Sequence, residues 1–134
     1  MPSTQLTSEQ AFQLAQAYQE LAAALTKYRF DNWNSMIPED RQRLEDYEWT
    51  LTTYSSDFNQ KSVILLLTAP KTQEAVVNIV TTTKNLTQAV KTLQGINKIL
   101  TIATAAFTLG GAIISGNPSA IGNAIAGAIS AVNS

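Results

Sequence analysis

Apolar residues recur at alternating steps of three and four near the start of the chain, which is the spacing of one face of an α-helix. They are Ala11, Leu14, Tyr18, Leu21, Leu25 and Tyr28. Thr7 and Gln10 stand three residues apart just before this stripe and form a capping box, which marks a helix start. The pattern predicts a first helix over residues 8–29 and, from the turn-forming residues that follow, a loop up to Pro38.

The same spacing continues after this loop. Its apolar positions are Leu44, Tyr47, Leu51, Tyr54, Phe58 and Leu65. They predict a second helix over residues 39–68, which Pro70 ends. The run VILLL at residues 63–67 fits a short buried strand as well as a helix. Because the chain offers no second strand candidate, the helix is favoured.

The third apolar pattern repeats at strict steps of seven. Its positions are Ile79, Leu86, Leu93, Leu100, Phe107 and Ile114, and Lys84, Lys91 and Lys98 repeat at sevens on the opposite face. Since the phase does not slip and a lone glycine costs only about 1 kcal/mol, we expect one helix over residues 72–115 that runs through Gly95. The alternative is a break at Gly95, which would give five helices of similar length in one compact bundle with the C-terminal tail in its middle.

The sequence SGNPS ends this pattern, because Gly116 suits a helix end while Asn117 and Pro118 suit a helix start. A last helix is predicted over residues 118–132, with the apolar stripe Ile121, Ile125, Ile129 and Val132. Beside this stripe runs a ladder of small residues that permits close packing against another helix: Gly122, Ala126 and Ser130. The predicted fold is an all-α antiparallel bundle of four helices, or of five if the third helix breaks at Gly95. It forms a single domain over residues 1–134 with a flexible N terminus at residues 1–7.

The distribution of charge sets the C terminus apart. The chain has 9 Lys and Arg and 10 Asp and Glu, and none of them falls in residues 99–134. At ~1.5 Å per residue an unbroken third helix would extend ~66 Å beside a second helix of ~45 Å, so an apolar hairpin would project by roughly 20 Å. Such a hairpin needs cover from another chain, from the protein's own loops or from lipid. The residues expected at this membrane or oligomer contact are Leu100, Phe107, Leu109, Ile113, Ile114, Ile121, Ile125 and Ile129.

Two functions are consistent with this hairpin. The leading hypothesis is a small helical protein whose C-terminal hairpin engages a membrane. An uncharged hairpin rich in Gly, Ala and Ile, sheltered by amphipathic helices, is similar to a feature of soluble α-helical pore-forming proteins. That likeness covers the last quarter of the chain and rests on composition. The alternative is a soluble homo-oligomeric or partner-binding bundle that buries the hairpin between subunits, so the expected partner is membrane lipid or a second copy of the chain.

Composition excludes most enzyme chemistry. The absence of Cys and His removes thiolate nucleophiles, Cys-ligated metals and the commonest general base, so no catalytic role is expected. No glycine-rich phosphate loop or nucleotide fingerprint occurs, so no cofactor or small-molecule substrate is expected. The net charge of −1 argues against a nucleic-acid partner. The N-terminal MPSTQLTSEQ lacks the features of a signal peptide, which makes a cytoplasmic or membrane-peripheral location the default expectation.

The remaining charged and aromatic residues favour structural roles. The carboxylates between Glu39 and Glu48 are interpreted as a solvated face near the positive end of a helix dipole. The aromatic group between Tyr28 and Ile37 is interpreted as a plug for the open end of the bundle. Trp49 lies off the main stripe, so it is the better candidate for a contact between subunits.

Overall fold

The structure is a computed structural model, and it describes residues 4–5, 8–60, 64–65, 69–92, 95–115 and 118–133. The helices are α1 Ser8–Asp31, α2 Pro38–Gln60, α3 Ala69–Lys91, α4 Ile96–Ser115 and α5 Pro118–Asn133, with a 3₁₀ turn at Trp33–Ser35 between α1 and α2. Two short segments, β1 Thr4–Gln5 and β2 Ile64–Leu65, pair as an antiparallel ladder of two residues each. The predicted all-α helical bundle is confirmed, and it has five helices among the described residues.

The third helix is broken, so the expectation of one continuous helix was wrong. Helix α3 ends at Lys91 and α4 begins at Ile96. The carbonyl oxygen of Gly95 accepts the first hydrogen bond of α4 from the N–H of Ile99, at 3.1 Å. A bundle of five comparable helices buries more apolar surface than a projecting rod, and this gain outweighs the small cost of one helix break. The hairpin therefore lies along the bundle.

The expectation that α2 continues through residues 63–67 was also wrong for residues 64 and 65, and residues 63, 66 and 67 lie outside the described part of the chain. Helix α2 ends at Gln60, and Ile64–Leu65 form a strand whose register is Thr4 opposite Leu65. The partner strand lies in the segment predicted to be flexible, of which residues 1–3 and 6–7 fall outside the described residues. A partner of two polar residues has no periodicity, so no sequence pattern indicated this pairing.

The five helices form two layers. In the first, which we call the three-helix layer, α1 lies between α2 and α3, and these two outer helices make almost no contact with each other in the described part of the chain. The second layer is the α4–α5 hairpin, in which α4 packs on α2 and α3 while α5 packs on α3. Helices α1 and α2 run antiparallel, as do α4 and α5: the Ser55 hydroxyl donates to the Ala15 carbonyl at 2.6 Å, and Lys98 Nζ donates to the Val132 carbonyl at 3.1 Å. Helices α1 and α3 run parallel, because β1 and β2, which precede them, pair at the same end of the bundle.

One core spans both layers. Its largest fully buried side chains come from all of the first four helices: Tyr18, Phe58, Leu14, Leu21, Leu25, Leu44, Leu51, Ile79, Leu86, Ile99 and Ile102. Burying one such side chain stabilises the fold by roughly 1.5–3 kcal/mol before entropy is counted. Because Ile99 and Ile102 belong to the hairpin, separating the layers would expose part of this core.

Candidate functional site

Helix α4 has one apolar buried face and one outer face that is uncharged. The buried face consists of Ile99, Leu100, Ile102, Ala103, Ala106, Leu109, Gly110, Ala112 and Ile113. On the outer face, the hydroxyls of Thr101 and Thr104 donate to the carbonyls of Asn97 and Leu100, four residues earlier, at 2.9 and 2.8 Å. The hydrogen-bond donors of these two hydroxyls are therefore satisfied within the helix. Within the described residues, α4 is the one helix whose length and composition suffice to cross a membrane, and half of its apolar stretch is buried.

The residues predicted to contact a membrane or a second copy divide between core and surface. Leu100, Leu109, Ile113 and Ile121 are buried in the core, and Ile125 is partly buried against it. Three others remain on the surface, with exposed fractions of 42% for Phe107, 45% for Ile114 and 50% for Ile129. The exposed three are the members of the predicted set that a partner can reach without any change of fold.

The small-residue ladder of α5 faces outward. Gly122, Ala126 and Ser130 are all exposed, and a Cβ placed on Gly122 would have no neighbour within 4 Å. Helix α5 instead faces the core with Ile121 and a row of alanines that includes Ala128. The ladder therefore lies on the exposed side of α5, away from the face that packs on the core.

A shallow groove of about 680 Å³ runs between α4 and α5. Every residue that lines it is uncharged: Thr101, Thr104, Ala105, Thr108, Ala120, Asn123, Ala124, Gly127, Ser130 and Ala131. Of the predicted ladder, Ser130 alone lines this groove. Small side chains leave the two backbones close to the surface, which is a geometry that helix–helix contacts use.

Tyrosines of α2 hold the hairpin on the three-helix layer. The ring of Tyr54 lies against Gly110, so closely that a Cβ at this position would overlap the ring. Phe107 lies between two tyrosine rings, with centroids 6.1 Å from Tyr54 and 6.0 Å from Tyr47. The Tyr47 hydroxyl also shares a 2.9 Å hydrogen bond with the hydroxyl of Thr104. Phe107 is therefore only half-exposed, because the two rings cover its flanks.

A third tyrosine joins the layers from α1. Tyr18 is fully buried, and its hydroxyl donates to the carbonyl oxygen of Ala106 at 3.0 Å. Its ring meets Tyr54 and Phe58 edge-on, at centroid distances of 6.1 and 5.3 Å. Burial, and then the nearby Tyr54, raise the pKa of the Tyr18 hydroxyl above its usual value, so it stays protonated as a donor. We refer to Tyr18, Tyr47 and Tyr54 together as the tyrosine clamp.

The acidic run of α2 contains one buried carboxylate, which corrects its interpretation as an entirely solvated face. Glu48 is 7% exposed and accepts two hydrogen bonds from Arg29, from Nε at 2.7 Å and from Nη2 at 3.0 Å. The Thr26 hydroxyl donates to the same carboxylate at 2.6 Å. The hydrogen bond with Glu48 raises the pKa of the Arg29 guanidinium. This pair joins α1 to α2, and no spacing rule in the sequence linked positions 29 and 48.

The aromatic group at the first bend plugs the bundle only in part. Tyr28 is buried there, whereas Phe30 and Trp33 are exposed and stack on each other with centroids 6.3 Å apart. Guanidinium groups cover the Trp33 ring: the Arg41 group lies 4.6 Å from its centroid and the Arg29 group 5.8 Å from it. These two rings are therefore surface features held in place by arginines.

Among the described side chains, no three carboxylates lie together in a group that could hold a metal ion. Comparison with known proteins found no protein family, no curated protein and no solved structure that match this chain. The candidate site is consequently defined by its own geometry: an uncharged hairpin, a groove between its helices, and a clamp of tyrosines beneath it.

Proposed function

We propose that this is a non-enzymatic, pore-forming-like protein whose α4–α5 hairpin engages a membrane. One observation carries the proposal: the two helices without a charged residue from Ile99 onward are folded with their most apolar face against three helices that hold almost all of the charge. In water this arrangement hides the apolar surface of α4. On a membrane, transfer of the same apolar surface into lipid is favourable in free energy.

The free-energy cost of transferring α4 from the folded bundle into a bilayer is low. It has no carboxylate or ammonium group after Lys98, and its outer threonines already bond to their own backbone. Its 20 residues extend ~30 Å, which equals the hydrocarbon thickness of a bilayer. The 16 residues of α5 reach only ~24 Å, so we expect α4 to lead the insertion. Lys98 directly precedes the uncharged segment, where its ammonium group can reach the lipid headgroups.

The experiment is liposome flotation combined with dye release, with a lysine placed on the outer face of α4. Thr108 is exposed near the middle of α4, so Thr108→Lys is compatible with the folded bundle. In lipid, a lysine at a helix centre costs about 2.5–3.5 kcal/mol, so we expect strongly reduced dye release. Ala112 is a poor position for this test because it is buried in the folded chain, where a lysine would unfold the bundle.

Thr81→Lys is the matched control, since Thr81 is exposed on α3 and the substitution adds the same charge. It should leave dye release unchanged, and circular dichroism should show both variants folded. If the unmodified protein neither floats with liposomes nor releases dye, at neutral or mildly acidic pH, the membrane function is wrong.

A homo-oligomer that covers the hairpin is the second candidate. It is supported by Gly122, which lies on the outer face of α5 with open space beyond it. A glycine in a helix costs about 1 kcal/mol relative to alanine, and close approach of another helix would offset that cost. In that case Gly122→Leu should lower the molecular mass in solution, whereas membrane engagement predicts no change in mass without liposomes.

A further inference from the structure

The outer helices of the three-helix layer carry opposite charge. Helix α2 has six carboxylates and two arginines, a net charge of −4, while α3 has three lysines and one glutamate, a net charge of +2. Because α1 lies between them, the two helices form opposite edges of the layer. One edge of the molecule is therefore acidic and the other basic.

Trp49 lies at the centre of the acidic edge. It is 69% exposed, the largest exposed fraction among the large apolar side chains that the structure describes. Glu45 and Asp46 precede it by about one helical turn, and beside it a groove of about 420 Å³ runs between α1 and α2. Arg29 neutralises Glu48 in this groove and also forms an ion pair with Glu45 at 3.8 Å, so Asp46, which forms no ion pair among the described side chains, supplies the uncompensated negative charge next to the indole. An indole flanked by carboxylates is well suited to an alkylammonium group, which gains from both the ring face and the charge.

Lys91 lies on the basic edge, at the end of α3. Both Lys84 and Lys91 are exposed, and neither forms an ion pair with a carboxylate in the described part of the chain. Lys84 shares a groove with Glu20 of α1, whereas Lys91 is not among the residues that line it. The start of α2 and the end of α3 belong to the same end of the bundle, and Trp49 lies ~16 Å from that end along α2. A second copy shifted by about this distance along the helix axis brings its Lys91 beside Trp49.

We propose that the acidic edge of one copy, centred on Trp49, docks on the basic edge of a second copy, with Lys91 against Trp49 and Asp46. The partner is a second copy of the chain, because the chain itself carries the surface of complementary charge on its opposite side. The contact is heterologous, so each copy retains one free edge and copies add head to tail, closing into a ring if the rotation permits. Neither edge includes α4 or α5, so every copy keeps its hairpin free. The inference stands independently of the membrane proposal.

The test is molecular mass by light scattering at low and high salt, followed by charge reversal. At an ionic strength of ~0.02 M we expect a weight-average mass at least twice the 14.5 kDa of one chain, falling toward one chain at ~0.5 M. Asp46→Lys and Lys91→Glu should each lower the mass at low salt. An equimolar mixture of the two variants should restore it, because each then offers an edge that complements the other.

Asp31→Lys is the control, since it makes the same change in charge at an exposed position at the end of α1 and should leave the mass unaffected. Trp49→Phe supplies a second readout, because it should abolish the shift of tryptophan emission that accompanies assembly. A protein that stays monomeric at low salt overturns the proposal. So does an assembly whose mass is unchanged by both reversals, or one that the mixture fails to restore.

Discussion

The three-helix layer and the α4–α5 hairpin meet water in different ways. Every charged residue except Lys98 lies in the first 95 residues, so the layer presents ionised side chains to solvent. The hairpin presents threonine, serine, asparagine and glycine together with the apolar Phe107, Ile114 and Ile129. The hydroxyls of Thr101 and Thr104 bond to their own backbone. An outer face of this kind tolerates water, lipid or another helix, because no strongly hydrated group has to be stripped. The layer is adapted to water alone.

Contacts between the two regions depend on shape more than on charge. Tyr54 against Gly110, Phe107 between two tyrosine rings, and the hydroxyl of Tyr18 on a helix carbonyl all join the layers without an ion pair. Close packing of this kind is sensitive to single methyl groups, since interiors are packed as densely as organic crystals. Small substitutions at the tyrosine clamp should therefore weaken the packing of the hairpin on the three-helix layer.

Gly110→Ala should produce the largest effect. Its methyl group would overlap the ring of Tyr54, and overpacking of this kind costs about 1–3 kcal/mol. Urea unfolding should show that loss of stability. If the hairpin is the membrane-engaging element, dye release should also become faster, because the clamp no longer holds α4 on the layer.

The neighbouring Gly111→Ala is the control. A Cβ at Gly111 would make only an ordinary contact of 3.5 Å with the Tyr54 hydroxyl. Alanine is the better helix former, so this variant should be neutral or more stable by up to about 1 kcal/mol. Equal stability changes at both glycines would contradict the clamp.

Much of this arrangement follows from sequence periodicity. The stripe of α1 predicted its buried residues, and Tyr18, Leu21 and Leu25 are all fully buried. The uncharged tail predicted a C-terminal pair of helices, and α5 begins at Pro118 as the helix-start signal indicated. Periodicity works for these elements because each buries one face, whatever its partner is.

The sequence offered a break at Gly95 as the alternative, but the choice between a broken and an unbroken helix, like the pairing of Tyr54 with Gly110, was out of reach for the same physical reason. A heptad phase records which face is apolar, and both halves of a broken helix can keep that phase while folding back on each other. The need for glycine at position 110 depends on a ring 56 positions earlier in the chain. Both features depend on how the whole chain packs together, and the helix propensity of a local segment does not report on that packing.

Tyr18→Phe should have a smaller effect, of about 1 kcal/mol, since it removes one hydrogen bond between the regions. The variant also tests the pH dependence of stability. Burial raises the pKa of Tyr18 in the folded state, so its contribution is fully present below the unfolded value of about 10 and declines as pH rises above it. The free energy of unfolding, measured from pH 8 to 11, should fall less steeply for Tyr18→Phe than for the unmodified protein. Parallel slopes would show that Tyr18 ionises freely in the fold.

The smallest expected effect lies at the junction of the two regions. Gly95 precedes α4 and its carbonyl accepts the first hydrogen bond of that helix, which is the position of an N-cap. Its backbone is not left-handed and a Cβ would meet nothing within 4 Å, so substitution changes the cap alone. Since serine caps better than glycine and alanine caps poorly, Gly95→Ser should gain a few tenths of a kcal/mol, and Gly95→Ala should lose about 0.5–1 kcal/mol.

A glycine-to-alanine substitution inside a helix should change stability in the opposite direction. Gly122→Ala is therefore the informative comparison. Gly122 lies within α5 and a Cβ there also meets nothing within 4 Å, so alanine should stabilise the protein by up to about 1 kcal/mol through helix propensity. Thermal melts of the two alanine variants should therefore shift in opposite directions. A gain in both would mean that Gly95 lies inside a continuous helix, and the two regions would then be joined by a rod instead of a turn.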